Sequence, residues 1–314
     1  MDSSGYSGPA GKKKPAPQGG LFCALILASW LLAASEPGQL QASAPVVVAS
    51  YNIENYTLTG AERTRIKTTG ARDAVADVAA GVHPDILGLC EVGSPEALED
   101  LRVRLEKRGA RLPYVEYVDG PDPERHVALL SRFPFARRQS LPKVSFELNG
   151  VPELVRRGFL DVSVQINPQY VLRLVGVHLK SKLPSPAGEA LLRRMEALAL
   201  RSLVDGIIRE NPNVNLLVYG DFNETKEEPS VRGVLGMRGG LNSLTDLPAE
   251  DAAGDRWTHY RYFTDVYSRI DYLMVNRALR PELATGRAYI SQSPQWRKAS
   301  DHRLIYTQII PNER

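Results

Sequence analysis

The chain has 314 residues, of which 43% are hydrophobic and 24% charged, with a formal net charge of +3. This is ordinary globular composition, with length for one large domain or two small ones. The near balance of charge excludes the strongly basic pattern of an obligate nucleic-acid binder.

Residues 1–44 differ from the rest. Lys12, Lys13 and Lys14 precede an apolar run at 21–34, and Ala42, Ser43 and Ala44 follow. A charged start, a short apolar segment and a small-residue exit describe a signal peptide. As helix the run rises about 21 Å, short of the roughly 30 Å hydrocarbon core. A removed leader is therefore preferred to an uncleaved anchor, and Cys23 lacks the small residues of a lipidation site. The expectation is an exported protein, with 1–44 as signal peptide and spacer and 45–314 as a single domain without a membrane span. That remainder carries 36 basic and 34 acidic side chains and one cysteine, Cys90, within an apolar run. No intramolecular disulfide is open to it, so stability must come from a core.

Residues 46–51 form a β-branched run ending at Asn52, with Glu54 two positions on. Apolar positions from Ile66 to Ala79 predict a helix over 65–80, which Pro84 stops. Residues 85–90 read as a buried strand ending at Glu91, and Ser94 and Pro95 begin a helix over 96–108. Strands follow at 115–118 and 127–131 around the loop 119–125, and 160–166 alternates like a half-exposed strand. Residues 171–177 form a strand ending at His178, and 188–209 an amphipathic helix.

The next strand, 214–219, turns at Gly220 and presents Asp221 and Asn223, with Phe222 turned inward. On extended backbone those two polar residues share a face. The plainer alternative is an Asx turn in which Asp221 caps the next segment. A loop rich in Gly, Pro and Asp covers 237–255. Asp271 lies in the strand 270–275, and Ser300, Asp301 and His302 precede a last strand at 304–310.

The order strand–Asn52, helix, strand–Glu91 is echoed by strand–His178, helix, strand–Asp221. Open α/β arrangements build sites where strand ends converge, and Asn52, Glu91, His178, Asp221, Asn223, Asp271, Asp301 and His302 all stand at such ends. A carboxylate buried in an apolar strand, as Asp271 is, requires a partner, and His302 is the expected one. Plainer readings apply elsewhere. The pairs Arg137/Arg138 and Arg193/Arg194 read as solvated faces, and Trp257 as loop packing or a stacking platform.

Together these blocks resemble the endonuclease/exonuclease/phosphatase superfamily with its deoxyribonuclease-like fold. The resemblance is carried by Ser50-Tyr51-Asn52-Ile53, Leu89-Cys90-Glu91-Val92, Val177-His178-Leu179-Lys180-Ser181-Lys182, Gly220-Asp221-Phe222-Asn223, Ser268-Arg269-Ile270-Asp271-Tyr272 and Ser300-Asp301-His302. It implies a four-layer α/β/β/α sandwich of two mixed sheets with helices outside, acting as a monomer. It implies that Asn52, Glu91 and Asp301 hold Mg²⁺, with Mn²⁺ as the other candidate; oxygen donors of this kind suit a hard cation. It further implies His302 as the general base oriented by Asp271, His178 across the phosphate from it, and Asp221 and Asn223 positioning water and phosphate oxygens. Arg157, or Arg156 beside it, is placed like a phosphate-contacting arginine.

The implied function is hydrolysis of phosphodiesters by an exported nuclease or phosphodiesterase, with nucleic acid as the leading partner. The alternatives are a phosphatase, a sphingomyelinase-like enzyme and a non-catalytic binding module. No exposed aromatic hairpin of the membrane-touching kind is evident in the sequence.

Overall fold

Alternating and β-branched runs supply enough strands to build two sheets. In the computed structural model, which describes residues 44–60, 62 and 64–312, they do so. The expected leader and spacer at 1–44 lie outside the described residues except for Ala44. No helix among the described residues is long and apolar enough to cross a membrane.

The first half runs β1 (Val46–Tyr56), α1 (Thr69–Ala80), β2 (Ile86–Val92), α2 (Pro95–Glu106), β3 (Tyr114–Val118), β4 (His126–Ser131), β5 (Phe135–Arg138), β6 (Ser145–Leu148) and β7 (Val151–Leu154). It continues through β8 (Leu160–Asn167), β9 (Tyr170–His178), α3 (Glu189–Glu210), β10 (Asn215–Asp221) and α4 (Pro229–Leu235). The last part holds β11 (Thr245–Asp246), β12 (Ala249–Glu250), β13 (His259–Arg261), β14 (Val266–Ser268), β15 (Asp271–Val275), β16 (Ala288–Ile290), α5 (Trp296–Ala299) and β17 (Ile305–Ile309).

One sheet has the order β12-β16-β17-β1-β2-β4-β3 and the other β11-β15-β10-β9-β8-β5. The echo between the two halves is a matching arrangement of strands. β1 lies parallel to β2 and β9 parallel to β10, and each parallel pair is flanked by antiparallel strands. Three apolar clusters fill the gaps between layers. One lies between the sheets, one under α1 and α2, and one under α3 and α4. This is the expected α/β/β/α sandwich.

Tyr219 keys the two sheets together. A Cβ on Gly88 of β2 would lie 2.0 Å from its ring, and one on Gly176 of β9 would lie 2.5 Å away. Its hydroxyl donates to the Ala128 carbonyl of β4 at 3.2 Å. Only glycine leaves room for the ring on both sides, which fixes how closely β10 approaches β2.

Several local expectations need correction. The first helix begins at Thr69 because the Thr68 side chain caps it, accepting from the Ala71 amide. The 237–255 loop is partly strand: β11 and β12 complete one edge of each sheet, with two ladder pairs apiece. Arg193 is buried rather than solvated. It pairs with Glu224 at 2.6 Å and donates to the Lys180 carbonyl at 3.0 Å. The hairpin β6–β7, the strands β5 and β16, and the helices α4 and α5 have no counterpart in the sequence reading, because each is short and half-exposed.

Candidate active site

The register of the sheets brings distant polar residues into two facing rows. In one sheet His178 pairs with Asp221 across β9 and β10, and Asp221 with Asp271 across β10 and β15. In the other, Asn52 of β1 stands opposite Cys90, and Glu91 follows at a break in the β2 ladder. The rows meet where Asn52 Nδ2 donates to Asp221 Oδ2 at 3.0 Å and to Glu91 Oε1 at 3.3 Å, and lies 3.4 Å from His302 Nε2. Glu91, with φ 67°, and Asn223, with φ 52°, are held in left-handed backbone. Such strain in non-glycine residues clusters at functional sites.

His302 is fixed from several sides. Its Nδ1 lies 2.8 Å from Asp271 Oδ2, so with Nδ1 protonated the carboxylate accepts and Nε2 is turned toward Asp221 and Asp301, at 3.8 and 3.9 Å. Ser300 Oγ accepts from the His302 amide and donates to the Asn52 carbonyl, tying this loop to β1. Thr258 Oγ1 accepts from the amides of Ile270 and Asp271, fixing the partner carboxylate's backbone.

The electrostatics follow from burial. Burial pulls the His302 imidazole down, but Asp271 and Asp221 outweigh it and hold its pKa well above the ordinary value. Burial pushes Asp221 up to about 7 against the opposing pull of His302. His178 is pushed well below its usual range by burial and by the positive charge of Arg157, so it is neutral near pH 7. Its Nε2 lies 3.5 Å from Asp221 and 3.9 Å from Glu91.

The segment after β10 takes the Asx-turn reading, and the shared face on extended backbone is not formed. Asp221 Oδ1 accepts from the Asn223 amide at 2.7 Å, an Asx turn, while Oδ2 faces Asn52. The left-handed turn, rather than extended backbone, carries Asn223 to the Leu179 carbonyl at 2.9 Å. Phe222 is buried edge-on against Tyr272, as expected. Arg157 is 5% exposed and pairs with Asp122 at 2.9 Å; Arg156 is exposed.

Sequence reasoning missed three side chains around the rim. Arg125 lies 3.6 Å from Glu91, Lys67 donates to the Glu54 carbonyl at 2.9 Å, and His259 lies 3.6 Å from Asp301 with its ring 4.6 Å from that of His302. Their one signal was position, each lying near a motif in sequence or at the mouth of a loop.

Of the expected metal ligands, Glu91 lies against Asn52 Nδ2, Asn52 Oδ1 accepts from the Glu54 amide at 3.1 Å, and Asp301 lies 3.9 Å from His302 Nε2. The acid and histidine groups whose ligand atoms converge within 4.8 Å are Asp221, Asp271 and His302, and His259, Asp301 and His302.

The sequence expectation of no aromatic hairpin is overturned. β13 and β14 pair antiparallel, with Tyr262 and Phe263 at the tip 78% and 92% exposed. Its base carries His259, bridged to His302. The hairpin was hidden because its strands are three residues each and lack an alternating pattern. Trp257 supports it, packed against Tyr267 and Trp296 with Arg303 over its face at 4.3 Å.

The sequence profile of the Endonuclease/Exonuclease/phosphatase family matches residues 49–302. No curated protein matches the sequence. Among solved structures, sphingomyelinase C from Streptomyces griseocarneus is similar, with TM-score 0.63 and 18% identity over 85% of this chain and 100% of that one. A Staphylococcus aureus beta toxin mutant with bound magnesium ions gives 0.61 and 15% over 84% and 99%. The human Nocturnin catalytic domain with bound sulfate gives 0.59 and 16% over 84% and 93%. At these identities the likeness is one of fold.

Proposed function

This chain belongs to the endonuclease/exonuclease/phosphatase family, and on that premise we propose that it is an exported, Mg²⁺-dependent phosphodiesterase acting on nucleic acid. Members of the family are metal-dependent phosphoric ester hydrolases, and this chain is one. The observation that carries the finer reading is the contact of Asn52 with Glu91, Asp221 and His302 together, which gathers the acid, base and amide groups in one crevice. The exported part of the reading rests on the leader pattern of residues 1–44.

The oxygen donors Asn52, Glu91 and Asp301 fit a hard divalent cation, and no thiol stands among them, which favours Mg²⁺ or Mn²⁺. When bound, the cation supplies Lewis-acid stabilisation of charge on the phosphoryl oxygens. Asp271 orients His302 and makes it a stronger base, so that in its deprotonated form Nε2 takes a proton from water. His178, neutral and buried, offers a hydrogen-bonding ring nitrogen to a phosphoryl oxygen. Asp221 and Asn223 orient the water and the oxygens around it. Arg157 and Arg125 add positive charge beside the crevice. Attack is direct and in line, with the ester oxygen leaving and no covalent bond to the protein.

The test is hydrolysis of a chromogenic diester, a chromogenic monoester and oligonucleotides by the purified protein, with Mg²⁺ and with EDTA. Diester cleavage that chelation abolishes and Mg²⁺ restores is expected, and His302→Ala lowers it by about 10²-fold or more, on the order expected for a general base. Activity that survives full chelation, or that ignores His302→Ala, overturns the reading.

A second reading is the diester of a lipid headgroup, and the exposed tip at Tyr262 and Phe263 favours it. Amphipathic aromatic rings suit a membrane–water interface. One of the similar structures is named sphingomyelinase C.

A further inference from the structure

Outside the crevice, the outer edge of the β11–β15 sheet carries a concentration of positive charge that hydrolysis does not use. A groove of about 1000 Å³ is lined by Lys226, Arg232, Arg238, Arg277 and Arg280, with Asp246 as the one acid among its lining residues. Asp246 is already committed, because it is buried, takes both terminal nitrogens of Arg269 and lies 3.3 Å from Lys226. Arg232 pairs with Glu227. The exposed side chains of Arg238, Arg277 and Arg280 have no ion pair among the described residues. In a chain whose overall charge nearly balances, three unpaired guanidinium groups around one concave edge repel each other unless an anion joins them.

One end of the groove is tied to a segment that enters the crevice, because Asp246 bonds Arg269, two residues before Asp271, and lies 3.3 Å from Lys226. Lys226 stands three residues after Asn223. Asp271 opens β15 at the site, and Arg277 lies six residues further on. β15 ends at Val275, so at about 3.3 Å per step its length is roughly 13 Å. That corresponds to about four nucleotides of one strand at roughly 3.4 Å each.

We propose that this arginine-lined groove binds the phosphate backbone of a nucleic-acid strand whose scissile bond lies in the catalytic crevice. The proposal rests on the phosphodiesterase reading and adds the surface that holds its substrate strand. A repeating anion suits cations spread along a groove, and arginine is the side chain that matches phosphate oxygens two at a time. A flat anionic bilayer does not enter a concave edge. The phosphate contacts carry no base information, so binding is indifferent to sequence and sensitive to salt.

Binding of a fluorescent 30-nucleotide single strand to the whole protein in EDTA tests this without turnover. Comparison is with Arg238→Ala/Arg277→Ala/Arg280→Ala and with the matching triple lysine variant, and hydrolysis of a small chromogenic diester reports folding. The alanine variant is expected to bind at least tenfold more weakly at 50 mM salt. Its slope of log affinity against log salt should shrink by about 2, since each phosphate no longer neutralised removes roughly 0.7. The lysine variant binds more weakly than the parent but keeps its salt slope, because the charge remains without the two-nitrogen contact, and small-diester hydrolysis is unchanged in both. Unchanged affinity and slope overturn the proposal, as does a loss confined to binding of phosphatidylglycerol vesicles. If the groove binds the strand but no diester of any kind is cleaved with Mg²⁺, the catalytic reading fails and the groove stands.

Discussion

At the scale of single residues, the site depends on carboxylates that would be unstable alone. Asp221 and Asp271 are nearly fully buried, and each is tolerated because His302 or Asn52 faces it. Removing one charge from such a set leaves the others uncompensated. Asp271→Asn keeps the shape but loses the acceptor that fixes the His302 tautomer. We expect kcat to fall by about 10²–10⁴-fold, the usual range for a disabled acid–base pair, while KM changes little. Steady-state kinetics on the chromogenic diester decide it, and a change confined to KM would place Asp271 in substrate binding. Thr258 and Ser300 belong to the same network through backbone contacts. Thr258 carries no mark in sequence, because its partners are main-chain groups of another element, whereas Ser300 stands in the Ser300-Asp301-His302 block.

At the scale of elements, two features outside the crevice are separately testable. The helices α1 and α2 are joined by Asp100, which accepts from Arg72, Arg104 and Tyr56. Burial alone would raise its pKa, but these three donors pull it to about 2. The folded value lies below the unfolded value of about 3.9. The contribution is therefore complete above about pH 4 and is lost as pH falls through about 2. Allowing for solvent screening it amounts to about 1 kcal/mol. Asp100→Asn should lower stability at pH 7 by about that amount and flatten its decline between pH 4 and 2, as urea unfolding at several pH values would show.

The hairpin is the second feature. Tyr262→Ser/Phe263→Ser leaves the core untouched, since both side chains are exposed. If the lipid reading holds, cleavage of lipid in vesicles drops at least tenfold while that of a soluble diester is unchanged. Equal rates on vesicles before and after the change count against that reading.

At the scale of the whole molecule, the crevice exists because two sheets are held at a fixed distance, and Tyr219 between Gly88 and Gly176 sets it. Gly88→Ala forces a methyl group to within 2.0 Å of the ring, so the sheets must separate or the ring must move. Overpacking of this kind costs about 1–3 kcal/mol. Thermal unfolding should shift down accordingly, and an unchanged midpoint would mean the ring is not trapped.

The amino-acid sequence by itself determined the apolar strands, the order in which they alternate with helices, and the polar residue at the end of each. These are local matters of periodicity, capping and chain reversal, written within a few neighbouring positions. What it left open was set by the packing of one sheet on the other. The burial of Arg193 against Glu224, the pairing of Arg157 with Asp122 and the approach of His259 to His302 join residues distant in the chain. The hairpin carrying Tyr262 and Phe263 and the edge strands of the 237–255 loop are too short to have a period of their own. They take their form from the sheets and loops they dock against, and no pattern of neighbours in the chain encodes that docking.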